Sequence, residues 1–170
     1  MKNLVFIGMM GSAKTTTGKR VATLLNMPFF DGDEVYEKIY GEKISDTFEK
    51  YGEEEFRRRE TEVYKYLGSL DGAVISCGGG VVLREENMLA LKQNGVVVQM
   101  TATAEVIYKR VSKNDKRPLL RDGGIEKIKQ IMTARAPLYN KYADFSVDSG
   151  FVSPVVCAKM VADKYKRLAK

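Results

Sequence analysis

Short apolar, β-branched runs alternate along the chain with longer segments in which apolar residues recur at helical spacing. The runs are Leu4–Ile7, Pro28–Phe30, Ala73–Ile75, Val96–Met100 and Phe145–Val147. Helical spacing covers Lys14–Asn26, Asp33–Tyr40, Ser45–Tyr51, Glu53–Ser69, Glu85–Gln93, Ala104–Ser112, Ile125–Tyr142 and Ser153–Leu168. Strand and helix in alternation, with short connections, predict a parallel α/β sheet. One connection departs from this economy. Residues 113–124 are basic, contain Pro and Gly, and are too polar for core and too long for a simple turn, so they read as a mobile lid.

The 170 residues suffice for one compact domain and fall short of two of ordinary size, so a single site within 1–170 has to carry the function. No apolar run approaches the ~20 residues of a membrane span, and the first strand lacks the flanks of a signal peptide, which points to the cytoplasm. Cys77 and Cys157 stand in apolar surroundings and suit reduced core thiols. The net charge of +6 favours anionic partners without choosing among nucleic acid, phosphates and carboxylates. With no His in the chain, any proton transfer falls to a carboxylate, a Lys or water.

The strand Leu4–Ile7 runs into Gly8-Met9-Met10-Gly11-Ser12-Ala13-Lys14-Thr15-Thr16 and then a helix, the context of a phosphate-binding loop. Glycines let successive N–H groups curl around a phosphate, and the helix N-terminus adds positive potential. Lys14 can reach the β/γ oxygens, and Thr15 can ligate Mg²⁺. A glycine-rich turn without nucleotide is the bland alternative. The usual glycine before the lysine is Ala13 here, and a positive φ at that position would strain it by on the order of 1 kcal/mol.

Beyond the second run, Asp31-Gly32-Asp33 sets two carboxylates at the carboxyl edge, where α/β sheets bind ligands. Ser76 closes the third run where a magnesium-binding aspartate is common, so Asp31 is the better metal candidate. Asp33 either orients an attacking hydroxyl or merely caps the next helix. At 100° per residue, Glu60 falls in the middle of an apolar face made by Phe56, Val63, Leu67 and Leu70, with Arg57 beside it and Arg58 opposite. Arg135 likewise centres the face of Ile125, Ile128, Ile131 and Met132. Two inward arginines with one inward acid leave room for an external carboxylate, although a structural salt bridge would also satisfy the first pair. Gly78-Gly79-Gly80 after the third strand would let the backbone approach a small ligand, or simply form a flexible loop. The 113–124 segment holds Lys113, Lys116, Arg117 and Arg121; the lysines read equally as solvated charge, whereas Arg117, leading into Pro118-Leu119-Leu120, is the candidate to meet a transferring phosphoryl group.

Taken together, the loop, Phe30-Asp31-Gly32-Asp33, Gly52-Glu53 through Phe56-Arg57 and Glu60, Gly78–Gly80, Arg117-Pro118-Leu119-Leu120 and Arg135-Ala136-Pro137-Leu138-Tyr139 resemble the shikimate kinase family, essentially from Gly8 to Pro154. The resemblance implies a P-loop kinase-type three-layer sandwich with a five-stranded parallel sheet in the order 2-3-1-4-5 and an ATP lid. It implies an enzyme acting on shikimate and ATP with Mg²⁺, in aromatic amino-acid biosynthesis, and a monomer is the default expectation. On that basis Asp33, Arg57, Gly79, Gly80 and Arg135, within and beyond a shikimate-binding segment at 33–60, hold shikimate, and Glu60 supports Arg57. Lys14, Thr15, Asp31 and Arg117 surround the phosphates and metal, and Arg110 and Pro154 flank the adenine. Lys14, Asp33 and Arg117 are then the catalytic groups. Gly32 departs from the family, which often carries a larger residue there. Gluconate kinases share Phe-x-Asp-Gly-Asp but lack the Arg57, triple-glycine and Arg135 set. A nucleotide-binding regulator that lost turnover through Ala13 is the alternative from another class. A nucleic-acid binder would need an aromatic-interleaved basic patch that this chain does not have.

Overall fold

The computed structural model describes residues 1–113 and 123–170. Its strands are β1 (Asn3–Ile7), β2 (Phe29–Asp31), β3 (Val74–Ser76), β4 (Gly95–Thr101) and β5 (Phe145–Asp148). All pair in parallel, in the order β2-β3-β1-β4-β5. The helices among the described residues are α1 (Lys14–Leu25), α2 (Gly32–Tyr40), α3 (Ile44–Gly68), α4 (Glu85–Gln93), α5 (Ala104–Ser112), α6 (Gly124–Tyr142) and α7 (Pro154–Leu168), with a 3₁₀ turn at Val81–Leu83. The expected order and nearly all the expected boundaries are met. The two helices read as Ser45–Tyr51 and Glu53–Ser69 run on as α3, broken at Gly52, whose φ of 86° and ψ of 174° only glycine adopts cheaply.

Alternation along β1 explains the layers. Leu4 and Phe6 face one side and join Val21 and Ala22 of α1 and Cys157, Val161 and Tyr165 of α7 in one apolar cluster. Val5 and Ile7 face the other side, packing with Tyr64 and Leu67 of α3, Met88 and Leu91 of α4, Ile107 of α5 and Ile128 of α6. β1 is therefore covered on both faces and has no exposed residue, as a central parallel strand requires. Cys77 and Cys157 are free, buried thiols. Among the described residues no helix is long and apolar enough to cross a membrane.

The carboxyl ends of β1, β2 and β3 meet at one edge. Register places Asp31 of β2 beside Ser76 of β3, and Ser76 beside Phe6 of β1.

Candidate active site

The loop after β1 owes its shape to positive φ at three residues, Gly8 (141°), Gly11 (73°) and Ala13 (69°). At Gly8 a side chain is impossible, because a Cβ would lie 2.4 Å from the Met100 carbonyl oxygen. Ala13 is the N-cap of α1 and supplies no side-chain cap, so its backbone is strained as the sequence warned. Lys14 is buried, and its Nζ donates to the carbonyls of Gly8 and Met9, each at 2.8 Å. The ammonium thus lies over the loop that would receive a phosphate. Ser12 is buried and bonds back to the Met9 carbonyl, while Thr16 is exposed.

Thr15 opens α1 toward the acids. Its Oγ1 donates to Asp31 Oδ2 at 2.9 Å and stands 3.2 Å from Ser76 Oγ. The other oxygen of Asp31 accepts from the N–H groups of Asp33 and Glu34, so the cap of α2 falls to Asp31 rather than to Asp33. A carboxylate and two hydroxyls gathered at a helix N-terminus suit a hard cation that keeps several waters and leans on nucleotide phosphates. Among the described residues no group of three or more His, Cys, Asp or Glu side chains could hold a metal alone, so any cation here would depend on that help.

The glycine triplet gathers the remaining candidates. A Cβ on Gly78 would lie 3.0 Å from Asp33 Oδ1 and 3.6 Å from Glu60 Oε1. On Gly79 it would lie 3.4 Å from Arg135 Nη1, and on Gly80 only 2.4 Å from Arg57 Nη1. The turn is therefore tiled by the side chains predicted to surround an acceptor, and position 80 has no room for any side chain while Arg57 stands where it does. Two tyrosines fix the turn. The Tyr64 hydroxyl accepts from the Gly78 N–H at 2.8 Å, and the Tyr139 hydroxyl donates to the Gly79 carbonyl.

Arg57 Nη1 donates to Glu60 Oε2 at 2.9 Å, with the two side chains 15% and 6% exposed. Arg57 Nε is buried without a hydrogen-bond partner, Glu53 Oε1 standing 3.6 Å away. A buried guanidinium with an unused donor fits an external carboxylate. Burial pushes the Glu60 carboxyl upward against the opposing pull of Arg57, Arg135 and Arg84. Burial likewise drives the Tyr64 phenol and the Cys77 thiol well up, so both are neutral neighbours of the acids at neutral pH. Arg58, as its helical phase predicts, points outward and pairs with Glu55.

On the far side of the loop, Arg110 donates to the Gly11 carbonyl (2.9 Å), to Ser149 Oγ (2.9 Å) and to the Ser149 carbonyl (2.7 Å). Arg110 is half-buried, and Pro154 is exposed at the start of α7. Arg117, Lys116 and Arg121 of the expected lid lie outside the described residues, and Lys113 ends α5. Periodicity and motif spacing did not single out Ser76, Tyr64 or Ser149 as partners of the site. Tyr64 falls on the apolar face of α3 and reads as ordinary core; only its phenol oxygen, which needs a partner when buried, hinted otherwise. A wide surface depression lined by Lys19, Thr23, Asn26 and Phe29 opens near the other end of α1, away from this cluster.

Comparison with known proteins places the chain in a family. The family profile described as shikimate kinase matches residues 10–167. The shikimate kinase of Thermodesulfovibrio yellowstonii is 44% identical over 170 residues, covering 99% of this chain and 98% of the relative. The structure of shikimate kinase from Acinetobacter baumannii in complex with shikimate superposes with a TM-score of 0.91 at 32% identity, covering 100% of this chain and 96% of that one. A gluconokinase from Sinorhizobium meliloti superposes with a TM-score of 0.68 at 16% identity over 99% of this chain and 93% of its own, a likeness of fold alone.

Proposed function

The chain belongs to the shikimate kinase family, and on that premise we propose that it transfers the γ-phosphoryl group of ATP to the 3-hydroxyl of shikimate at the edge formed by β1, β2 and β3, giving shikimate 3-phosphate and ADP. The observation that carries the acceptor reading is the glycine turn, whose three missing side chains make room for Asp33, Arg135 and Arg57. A small acid is what such a cluster recognises. Two guanidinium groups bind its carboxylate, backbone N–H groups approach its ring, and one carboxylate receives a hydroxyl proton.

In this reading Arg57, braced by Glu60, and Arg135 hold the shikimate carboxylate and fix the ring. Asp33 accepts the hydrogen bond of the 3-hydroxyl and takes its proton as the oxygen attacks phosphorus. Lys14 gives up its loop carbonyls for the β/γ oxygens, and its charge offsets the negative charge spread over the transferring group. Arg117 joins it on the strength of the family motif Arg117-Pro118-Leu119-Leu120. Arg110 and Pro154 border the adenine. Thr15 and Asp31 would hold Mg²⁺, which would supply further charge neutralisation on the phosphates. Acceleration in such a site comes from electrostatic stabilisation together with holding two reactants in line, the latter worth up to about 7–11 kcal/mol.

The test is ADP release from Mg-ATP by the purified chain with shikimate, with gluconate and with no acceptor. Turnover confined to shikimate is the expected result. Turnover with gluconate would overturn the acceptor assignment. Silence in all three, with ATP still bound, would leave a nucleotide-binding protein without transfer activity.

A further inference from the structure

Gly32, between Asp31 and Asp33, has no side chain, and the structure shows what takes the space. A Cβ on Gly32 would lie 2.8 Å from the Tyr64 hydroxyl oxygen, 3.0 Å from Cε1 and 3.2 Å from Cζ of the same ring. Tyr64 is 1% exposed, and its hydroxyl accepts the Gly78 N–H at 2.8 Å. Near the same point stand the Asp33 and Glu60 carboxylates, 3.0 and 3.6 Å from where a Gly78 Cβ would be. One buried ring thus abuts the backbone between the two acids and grips the first amide of the glycine turn.

An ordinary core tyrosine only needs some partner for its hydroxyl, and any stray carbonyl serves. Tyr64 instead accepts from an amide of the turn assigned to the acceptor, and it does so across the one residue whose lack of a side chain admits it. A rigid ring with two torsions holds such a spacing at little entropic cost. We propose that Tyr64 is a positioning residue, size-matched to Gly32, whose hydroxyl sets the separation between Asp33 and the Gly78–Gly80 turn and so aims the acceptor hydroxyl at its base. The proposal rests on the reading of Asp33 and the triplet as the acceptor site.

Steady-state kinetics and thermal unfolding of Tyr64→Phe, Gly32→Ala, Tyr64→Leu, the Gly32→Ala/Tyr64→Leu double variant and Arg57→Ala test it. Tyr64→Phe keeps the ring and removes the acceptor atom, so kcat should fall about tenfold, as a small misplacement of reactants allows, with the KM for ATP nearly unchanged and the melting temperature lowered only by the loss of one hydrogen bond. Gly32→Ala should lower kcat when Tyr64 is present and cost nothing further in the Tyr64→Leu background, where the ring has vacated the space. Wild-type kcat in Tyr64→Phe would overturn the proposal, as would an equal cost of Gly32→Ala in both backgrounds. If Tyr64→Phe does not fold, the Gly32 pair decides alone. Arg57→Ala separates the two levels: a raised KM for shikimate with Tyr64→Phe silent sinks only the positioning claim, whereas an unchanged KM for shikimate sinks the acceptor-site reading beneath it.

Discussion

Replacing Ala13 by Gly should make the protein more stable, against the usual direction of that exchange. Ala13 sits at φ 69° and ψ 26°, squarely left-handed, at the N-cap of α1. That conformation costs an L-residue roughly 1–2 kcal/mol and glycine almost nothing. Against the relief stands the greater freedom of glycine in the unfolded chain, worth about 0.4–1 kcal/mol. No helix-interior penalty applies at an N-cap, where glycine is preferred to alanine. Taken at the middle of each range the balance is a gain of about 0.8 kcal/mol, which in a chain of this length raises the melting temperature by roughly 2–3 °C. Ligand-free thermal unfolding of Ala13→Gly reads it directly. Asn26, also left-handed at φ 52°, is the control, because asparagine tolerates that region and Asn26→Gly should bring no comparable gain. An Ala13→Gly variant that melts at or below wild type would refute the strain argument, and an equal gain in Asn26→Gly would show that the effect has nothing to do with alanine.

Three further outcomes follow from the site. Gly80→Ala puts a methyl 2.4 Å from Arg57 Nη1, so the guanidinium must move; the KM for shikimate should rise about tenfold, the worth of one charge-assisted hydrogen bond, with the KM for ATP intact. Asp33→Asn keeps the shape and removes the base, and should lower kcat by about 10²–10⁴ with little change in either KM; a near-wild-type kcat would take Asp33 out of the chemistry. Burial lifts the Glu60 carboxyl above its ordinary value of 4.5, so the folded chain keeps that proton to higher pH than the unfolded one. The resulting stability is fully present below the unfolded value and is lost as pH rises through the folded value. Wild type should therefore gain on Glu60→Gln, in urea midpoint, as the pH is lowered from 7 toward 5, and a difference that does not vary with pH would contradict the burial argument.

Periodicity located the inward charges correctly because a charge on an apolar helical face is improbable unless something pairs with it. Glu60 and Arg57 meet as their phase on α3 requires, and Arg135 reaches the same cluster from α6. Alternation along the strands and the glycine-rich loop were enough for the sheet and for the turn between β1 and α1. Which of the two acids caps α2 was not legible, since either spacing suits an N-cap. Only the fold shows one Asp31 oxygen on the α2 amides and the other on Thr15. The glycine triplet marks the deeper limit. In a sequence, a glycine records that a side chain is missing, and a flexible loop and a crowded one look alike. What the absence makes room for arrives from far along the chain: Arg57 and Tyr64 from α3, Arg135 from α6 and Asp33 from α2. Close approach is a property of pairs, so each glycine acquires its meaning only with its partner. That is why substitutions at Gly32 and Gly80 should be read together with Tyr64 and Arg57 rather than alone.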